Sequence, residues 1–353
     1  MKAAVLHGHR DLRVEERALP QLTPGSVLLR VDACAICGSD IRTFNHGNNR
    51  VVGPSVIGHE IAGTVVGVGE GVTRFQLGDR LSVGGDVPCG KCVHCLSGSG
   101  NNCDINLAIG YQFDGGFAEY LRLDPLVVEH GPIQKYYGDL TASEACLAEP
   151  LACCINGFEV ANMREGCSVA VFGAGPIGLM LIALAKAQYK SMLIISIDPN
   201  PSRRKFAMKC GADFVIDPTQ EDPATELMRI SEGRGIERIF TACSIPETHE
   251  QAFRSVAKRG FINLFGGLPA GSSPVKLDSN WIHYREAYIT GSHGATPKHH
   301  SEAIRLIENK KIRMDIFISN ELPLTRIADA FALAESGSAV KVVITPAPET
   351  LGG

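Results

Sequence analysis

The segment Gly173-Ala174-Gly175-Pro176-Ile177-Gly178 constrains this chain more than any other. It follows the apolar run Ser168–Phe172 and opens a second apolar run at 179–187, so three glycines sit where a strand turns into a helix. The spacing is mechanical. Gly173 permits a tight turn, Gly175 lets backbone approach a pyrophosphate, and Gly178 lets helix and strand pack closely. The helix start, with Pro176 and Ile177, offers N–H groups and the positive end of a dipole. Asp198 stands 20 residues after Gly178, at the end of the next apolar run, where a carboxylate bonds both ribose hydroxyls and repels a 2′-phosphate. The segment therefore predicts a dinucleotide site with NAD as cofactor. Arg203 and Arg204 leave other readings open, since a guanidinium there can meet a 2′-phosphate, stack on adenine or simply sit solvated in a helix.

The pattern around this segment repeats. Strand-like runs at 168–172, 193–197, 214–216, 238–242 and 260–265 alternate with helical runs at 201–210, 222–231 and 248–255, which predicts an α/β domain with a doubly wound parallel sheet that starts near Ser168. Residues 1–145 read differently, as short β-branched runs at 26–33, 61–67 and 80–84 punctuated by Gly, Pro and Asp. Two amphipathic helices at 299–310 and 327–336 and a strand at 339–345 close the pattern and are free to return to the first domain, with 346–353 as a loose tail. A length of 353 residues suits two domains.

Twelve cysteines demand an explanation. His7, His9, Arg10, Asp11, Glu15 and Glu16 interrupt the first 17 residues, so they lack the apolar core of an export signal, and no membrane-length apolar run appears later. The expected location is cytoplasmic, which favours metal ligation or free thiols over disulfides. A net charge of -4 gives no reason to expect a nucleic-acid or anionic-membrane partner. Cys89, Cys92, Cys95 and Cys103, spaced C-x2-C-x2-C-x7-C, suit a closed tetrahedral zinc site that would fold the apolar-poor lobe 83–106. An iron–sulfur cluster also takes four cysteines, and free thiols are the remaining alternative. A second set comes from separate segments: Cys37, His59, Glu60 and Glu149 can supply the three protein ligands that a catalytic zinc takes beside water.

Together, Gly58-His59-Glu60, the four-cysteine lobe and the glycine segment resemble the zinc-containing medium-chain dehydrogenases over nearly the whole chain. Cys37-Gly38-Ser39-Asp40 with Ala148-Glu149-Pro150-Leu151 is most similar to the sorbitol (polyol) and threonine dehydrogenase branch. The resemblance implies a GroES-like β-barrel catalytic domain over 1–150 and 290–353, a Rossmann domain over 151–289, and an active site in the cleft between them. It implies a catalytic zinc on Cys37 and His59 with Glu149 or Glu60 as third ligand, directly or through water, and a structural zinc on the four cysteines. Asp40 would fix the tautomer of His59, Ser39 would take the hydroxyl proton, and Phe265, Gly266 and His293 would line the nicotinamide pocket. The implied activity is NAD-dependent oxidation of a secondary hydroxyl on a small polar substrate, a polyol or sugar alcohol, by a homotetramer or homodimer. An L-threonine or amino-alcohol dehydrogenase is the alternative, and a non-enzymatic zinc and nucleotide binder the more distant one. One position departs from the pattern: many relatives carry a relay histidine five residues after the zinc cysteine, and here that residue is Arg42, which cannot act as a neutral base. The proton path would then end at Ser39 and the cofactor ribose, or run through water or His46.

Overall fold

The computed structural model describes residues 1–190, 192–269 and 271–346, so the tail expected at 346–353 lies outside them except for Pro346. Contacts divide the chain into two units, Met1–Ala152 with Gly294–Gly353, and Cys153–His293.

In the second unit six parallel strands lie in the order Phe214–Ile216, Leu193–Ile197, Ser168–Phe172, Ile236–Thr241, Val256–Leu264, Tyr288–Gly291. Numbered along the chain this is 3-2-1-4-5-6, the order whose reversal beside the first strand creates a dinucleotide crevice. The central strands are β-branched and buried on both faces, as helix-covered parallel strands must be. Helix Pro176–Gln188 starts before the expected residue 179 because Pro176 presets the backbone dihedral of the first turn. Asn200 and Asp222 cap helices Pro201–Cys210 and Pro223–Ile230 by accepting from backbone N–H groups of the first turn. The sixth strand, Tyr288–Gly291, is short and exposed, and its sequence carries no buried-strand signal.

The first unit is built around strand Val27–Ala35, which pairs antiparallel with Glu60–Val68, Tyr120–Leu123 and the C-terminal strand Lys341–Thr345. Leu29, Val31, Ile61, Val83, Phe117 and Ile344 pack as one core here. The register sets the site. Glu60 lies opposite Ala35, Val343 lies opposite Ala35 on the other flank, and Cys37 follows at the end of the strand. Among the described residues no helix is long and apolar enough to cross a membrane.

His300, on helix Pro297–Glu308, is only 1% exposed, with Nε2 3.0 Å from the hydroxyl of Ser82. Burial pushes its imidazole down to about 4. The folded chain thus keeps His300 neutral while the unfolded chain protonates it below about pH 6.5, so this group costs stability as pH falls from there toward 4. Urea unfolding across that window is expected to show a loss approaching about 1.4 kcal/mol per pH unit from this residue. A His300→Gln chain should have a correspondingly flatter pH dependence; parallel slopes in the two chains would contradict this.

Candidate active site

Cys37 is the N-cap of helix Gly38–His46, and its backbone N–H donates to Asp40 Oδ2 at 2.9 Å. The other Asp40 oxygen lies 3.4 Å from His59 Nδ1, so one buried carboxylate borders both residues. Ser39 Oγ lies 3.4 Å from His59 Nε2. Ligand atoms of Cys37, His59 and Glu60 all come within 4.8 Å of one another. The sulfur, nitrogen and oxygen set suits zinc. The surroundings also favour a cation: burial opposes a charged His59, yet Asp40 and Cys37 outweigh it and raise the imidazole well above its ordinary value. A divalent ion coordinated there meets the same field.

Glu60 is fully buried, and both its oxygens lie 2.5 Å from Lys341 Nζ, which also donates to the Ile36 carbonyl at 3.1 Å. Lys341 belongs to the returning C-terminal strand, and the sequence reading missed it. Glu149 opens helix Ala148–Val160 and is not in the 4.8 Å group. Burial pushes its carboxyl up to about 7; His59 pulls it down and Glu60 and Asp86 push it up, which marks it as a member of the same electrostatic cluster.

Arg42 is exposed on helix Gly38–His46, and His46 ends that helix. His46 lies seven positions after Ser39, about 10 Å along the axis, too far for direct proton transfer.

The four sulfurs of Cys89, Cys92, Cys95 and Cys103 also lie within 4.8 Å of one another, with separations of 3.4 Å for Cys92–Cys95, 3.9 Å for Cys89–Cys95 and 4.0 Å for Cys92–Cys103. A tetrahedron with a zinc–sulfur bond of about 2.3 Å has edges of about 3.8 Å, so one ion fits. A multi-iron cluster would need its sulfurs further apart, and these separations are too long for disulfide bonds. Burial raises Cys103, but backbone N–H groups of Asn106, Cys89 and Ile105 outweigh it and bring the thiol down to about 6, as a thiolate ligand requires.

In the second unit Gly173 has φ +93°, and a Cβ on Gly178 would overlap the Gly173 carbonyl oxygen, so each glycine has a steric reason to be one. Asp198 is buried and accepts from the N–H groups of Ala174 and Asn200 at 2.7 and 2.8 Å, which holds its carboxylate against the glycine turn. The Arg203 guanidinium lies beside Gly175, whereas Arg204 is tied to the Asp198 carbonyl and to Asp217. Phe265 and Gly266 follow strand Val256–Leu264 at the carboxyl end of the sheet, where Gly266 packs on the Cys243 backbone and Phe265 against Gly157. The His293 carbonyl accepts from Asn156 Nδ2 at 3.2 Å.

Residues 23–130 match the family model of the alcohol dehydrogenase GroES-like domain, and residues 176–309 match that of zinc-binding dehydrogenases. The chain is 33% identical to an L-threonine 3-dehydrogenase of Thermococcus kodakarensis, over 98% of this chain and 97% of that protein. It is 31% identical to a sorbitol dehydrogenase of Halalkalibacterium halodurans, over 98% and 99%. Among solved structures, a zinc-binding dehydrogenase from Sinorhizobium meliloti bound to NADP superposes with a TM-score of 0.90 at 29% identity, covering 98% of this chain and 99% of that one.

Proposed function

The chain belongs to the zinc-dependent medium-chain dehydrogenases, oxidoreductases acting on CH–OH donors, and we propose that it oxidises a secondary hydroxyl of a polyol or sugar alcohol with NAD. The observation that carries this reading is the convergence of Cys37, His59 and Glu60 within 4.8 Å, with Ser39 beside them. We assign the catalytic metal to Cys37, His59 and Glu60, with Glu149 near enough in charge to share it, and the structural metal to the four-cysteine lobe. Bound zinc supplies the Lewis acidity that lets a substrate hydroxyl ionise near neutral pH, and the bound dinucleotide supplies the hydride acceptor.

The chain's own residues do the rest. Asp40 fixes the His59 ring and the helix start that carries Cys37. Ser39 takes the hydroxyl proton, and with Arg42 exposed the onward path runs through water or the cofactor ribose. Gly173, Gly175 and Gly178, with the helix N-terminus at Pro176 and Ile177, seat the pyrophosphate, and Asp198 takes the ribose. Arg203, beside Gly175, is placed to cover the adenosine end, while Phe265, Gly266 and His293 border the nicotinamide side. A second reading, oxidation of L-threonine or another amino alcohol, is supported by the 33% identity to a threonine dehydrogenase. We also propose a cytoplasmic homodimer or homotetramer, supported by the exposed edge strand Tyr288–Gly291.

The test is NADH formation by zinc-loaded protein against polyols, L-threonine and simple alcohols, with NAD and NADP in parallel. Polyol-dependent reduction of NAD supports the first reading and threonine turnover the second; absence of both sinks them. Asp198→Ala is expected to erase the preference for NAD over NADP by at least about tenfold, because a charge-assisted hydrogen bond contributes about 1.5–3 kcal/mol.

A further inference from the structure

Close to the candidate metal centre, the buried Nε of Arg50 lacks an acceptor. Arg50 lies in the loop between helix Gly38–His46 and strand Ser55–Val56. Its Nη2 donates to the Asn106 carbonyl at 2.6 Å, and its guanidinium carbon stands 4.8 Å from the centroid of the Tyr111 ring. The Tyr111 ring in turn lies 6.0 Å from the His59 ring. These two steps keep the guanidinium within about 11 Å of a proposed metal ligand, a separation that a short hydroxylated chain spans. Arg50 Nε is sealed from solvent and has no hydrogen-bond partner. Other arginines of this unit, Arg30 and Arg122, sit on carboxylates of Asp32 and Asp124, but among the described residues Arg50 has none.

The arrangement is that of a preorganised anion receptor. A guanidinium held over a ring and by one carbonyl has lost part of its rotational freedom before any ligand arrives, and it keeps both its charge and unused N–H groups. If Arg50 were only a brace for Asn106, its buried Nε would carry an uncompensated desolvation cost. An oxyanion on the remaining guanidinium N–H groups offsets that cost by pairing with the charge.

We infer that Arg50, stacked on Tyr111, binds an anionic group, carboxylate or phosphate, carried by the substrate whose hydroxyl is oxidised at Cys37 and His59. Among the substrates of that reading, a hydroxylated acid or a phosphorylated sugar alcohol is then preferred over its neutral counterpart. This rests on the dehydrogenase reading above.

Matched pairs test it: D-sorbitol 6-phosphate against D-sorbitol, and L-threonine against the neutral alcohol threoninol, with zinc-loaded enzyme and NAD. The expected result is a higher kcat/KM for the anionic member of one pair. In Arg50→Gln the anionic-to-neutral ratio falls about 10–100-fold, chiefly through KM, and Arg50→Lys retains part of it. Whichever pair responds identifies the anion as phosphate or carboxylate. Equal kcat/KM for both members in both pairs, or an unchanged ratio in Arg50→Gln, overturns the inference and leaves the dehydrogenase reading standing. Calorimetric binding of the same four compounds separates the two claims. Anion-selective binding that Arg50→Gln abolishes, without turnover, upholds the anion site and removes the polyol and threonine readings. Binding without anion preference overturns the site whatever the turnover.

Discussion

His59→Ala is expected to abolish turnover while leaving the fold, the four-cysteine metal and dinucleotide binding in place. His59 is 7% exposed, lies among Cys37, Glu60 and Asp40, and is the one neutral nitrogen donor of its metal set. Its loss leaves a thiol and a carboxylate already engaged by Lys341, too few ligands for a tightly held ion. Lewis-acid stabilisation of developing charge is worth several kcal/mol, so kcat/KM should fall at least about 10³-fold. Metal content should drop from about two ions per chain to about one, since the lobe sulfurs belong to a separate loop. NADH titration should be unaltered, because Gly173, Gly178 and Asp198 depend on the other unit. Two ions retained and activity within tenfold of the parent would remove His59 from the site. Asp40→Asn should behave as a weaker version, losing about 10–100-fold in metal affinity or activity by loosening the ring it orients.

The legible and illegible parts of this molecule differ for physical reasons. The dinucleotide unit could be read because its strands and turns are local. Ser168–Phe172 and Leu193–Ile197 are apolar along their length, and Gly173 and Gly178 are required by contacts within a few residues. Helix Gly38–His46 left no periodic signal because only Asp40 and Thr43 of its residues are buried, so an apolar stripe had nothing to show. Pro150 stands in the first turn of helix Ala148–Val160, where proline is tolerated. The candidate metal ligands could be proposed from motif and resemblance, but the partner of Glu60 could not. Lys341 is 281 residues away in sequence, and only the return of the last strand beside Val27–Ala35 brings the two together. The same holds for Arg50 and Tyr111, whose stacking depends on how two loops of one unit meet.

Lys341→Met is expected to produce a protein whose stability depends on its catalytic metal. Glu60 is fully buried, and Lys341, itself 3% exposed, is its counter-ion. Burial lowers the affinity of Lys341 for its proton, but Glu60 outweighs this and raises it, so Lys341 is charged at neutral pH. Removing the lysine strands a carboxylate in a low-dielectric site at a cost of about 3–5 kcal/mol, much more than a surface ion pair would lose. The metal-free variant should therefore melt on the order of 10 °C below the metal-free parent. Zinc should recover a large part of that loss, because an ion on Cys37 and His59 gives Glu60 a replacement for the lost cation; binding the folded state alone stabilises by mass action. In the parent, Lys341 competes for the same oxygens, so zinc affinity should rise in Lys341→Met even as the apo chain weakens. Glu60→Gln with Lys341→Met removes both charges and should bring the apo melting temperature back toward the parent, a coupling visible in the double-mutant cycle. If the two single changes simply add, or if zinc affinity falls in Lys341→Met, the lysine does not hold Glu60 in check, and the carboxylate that completes the metal site must be Glu149.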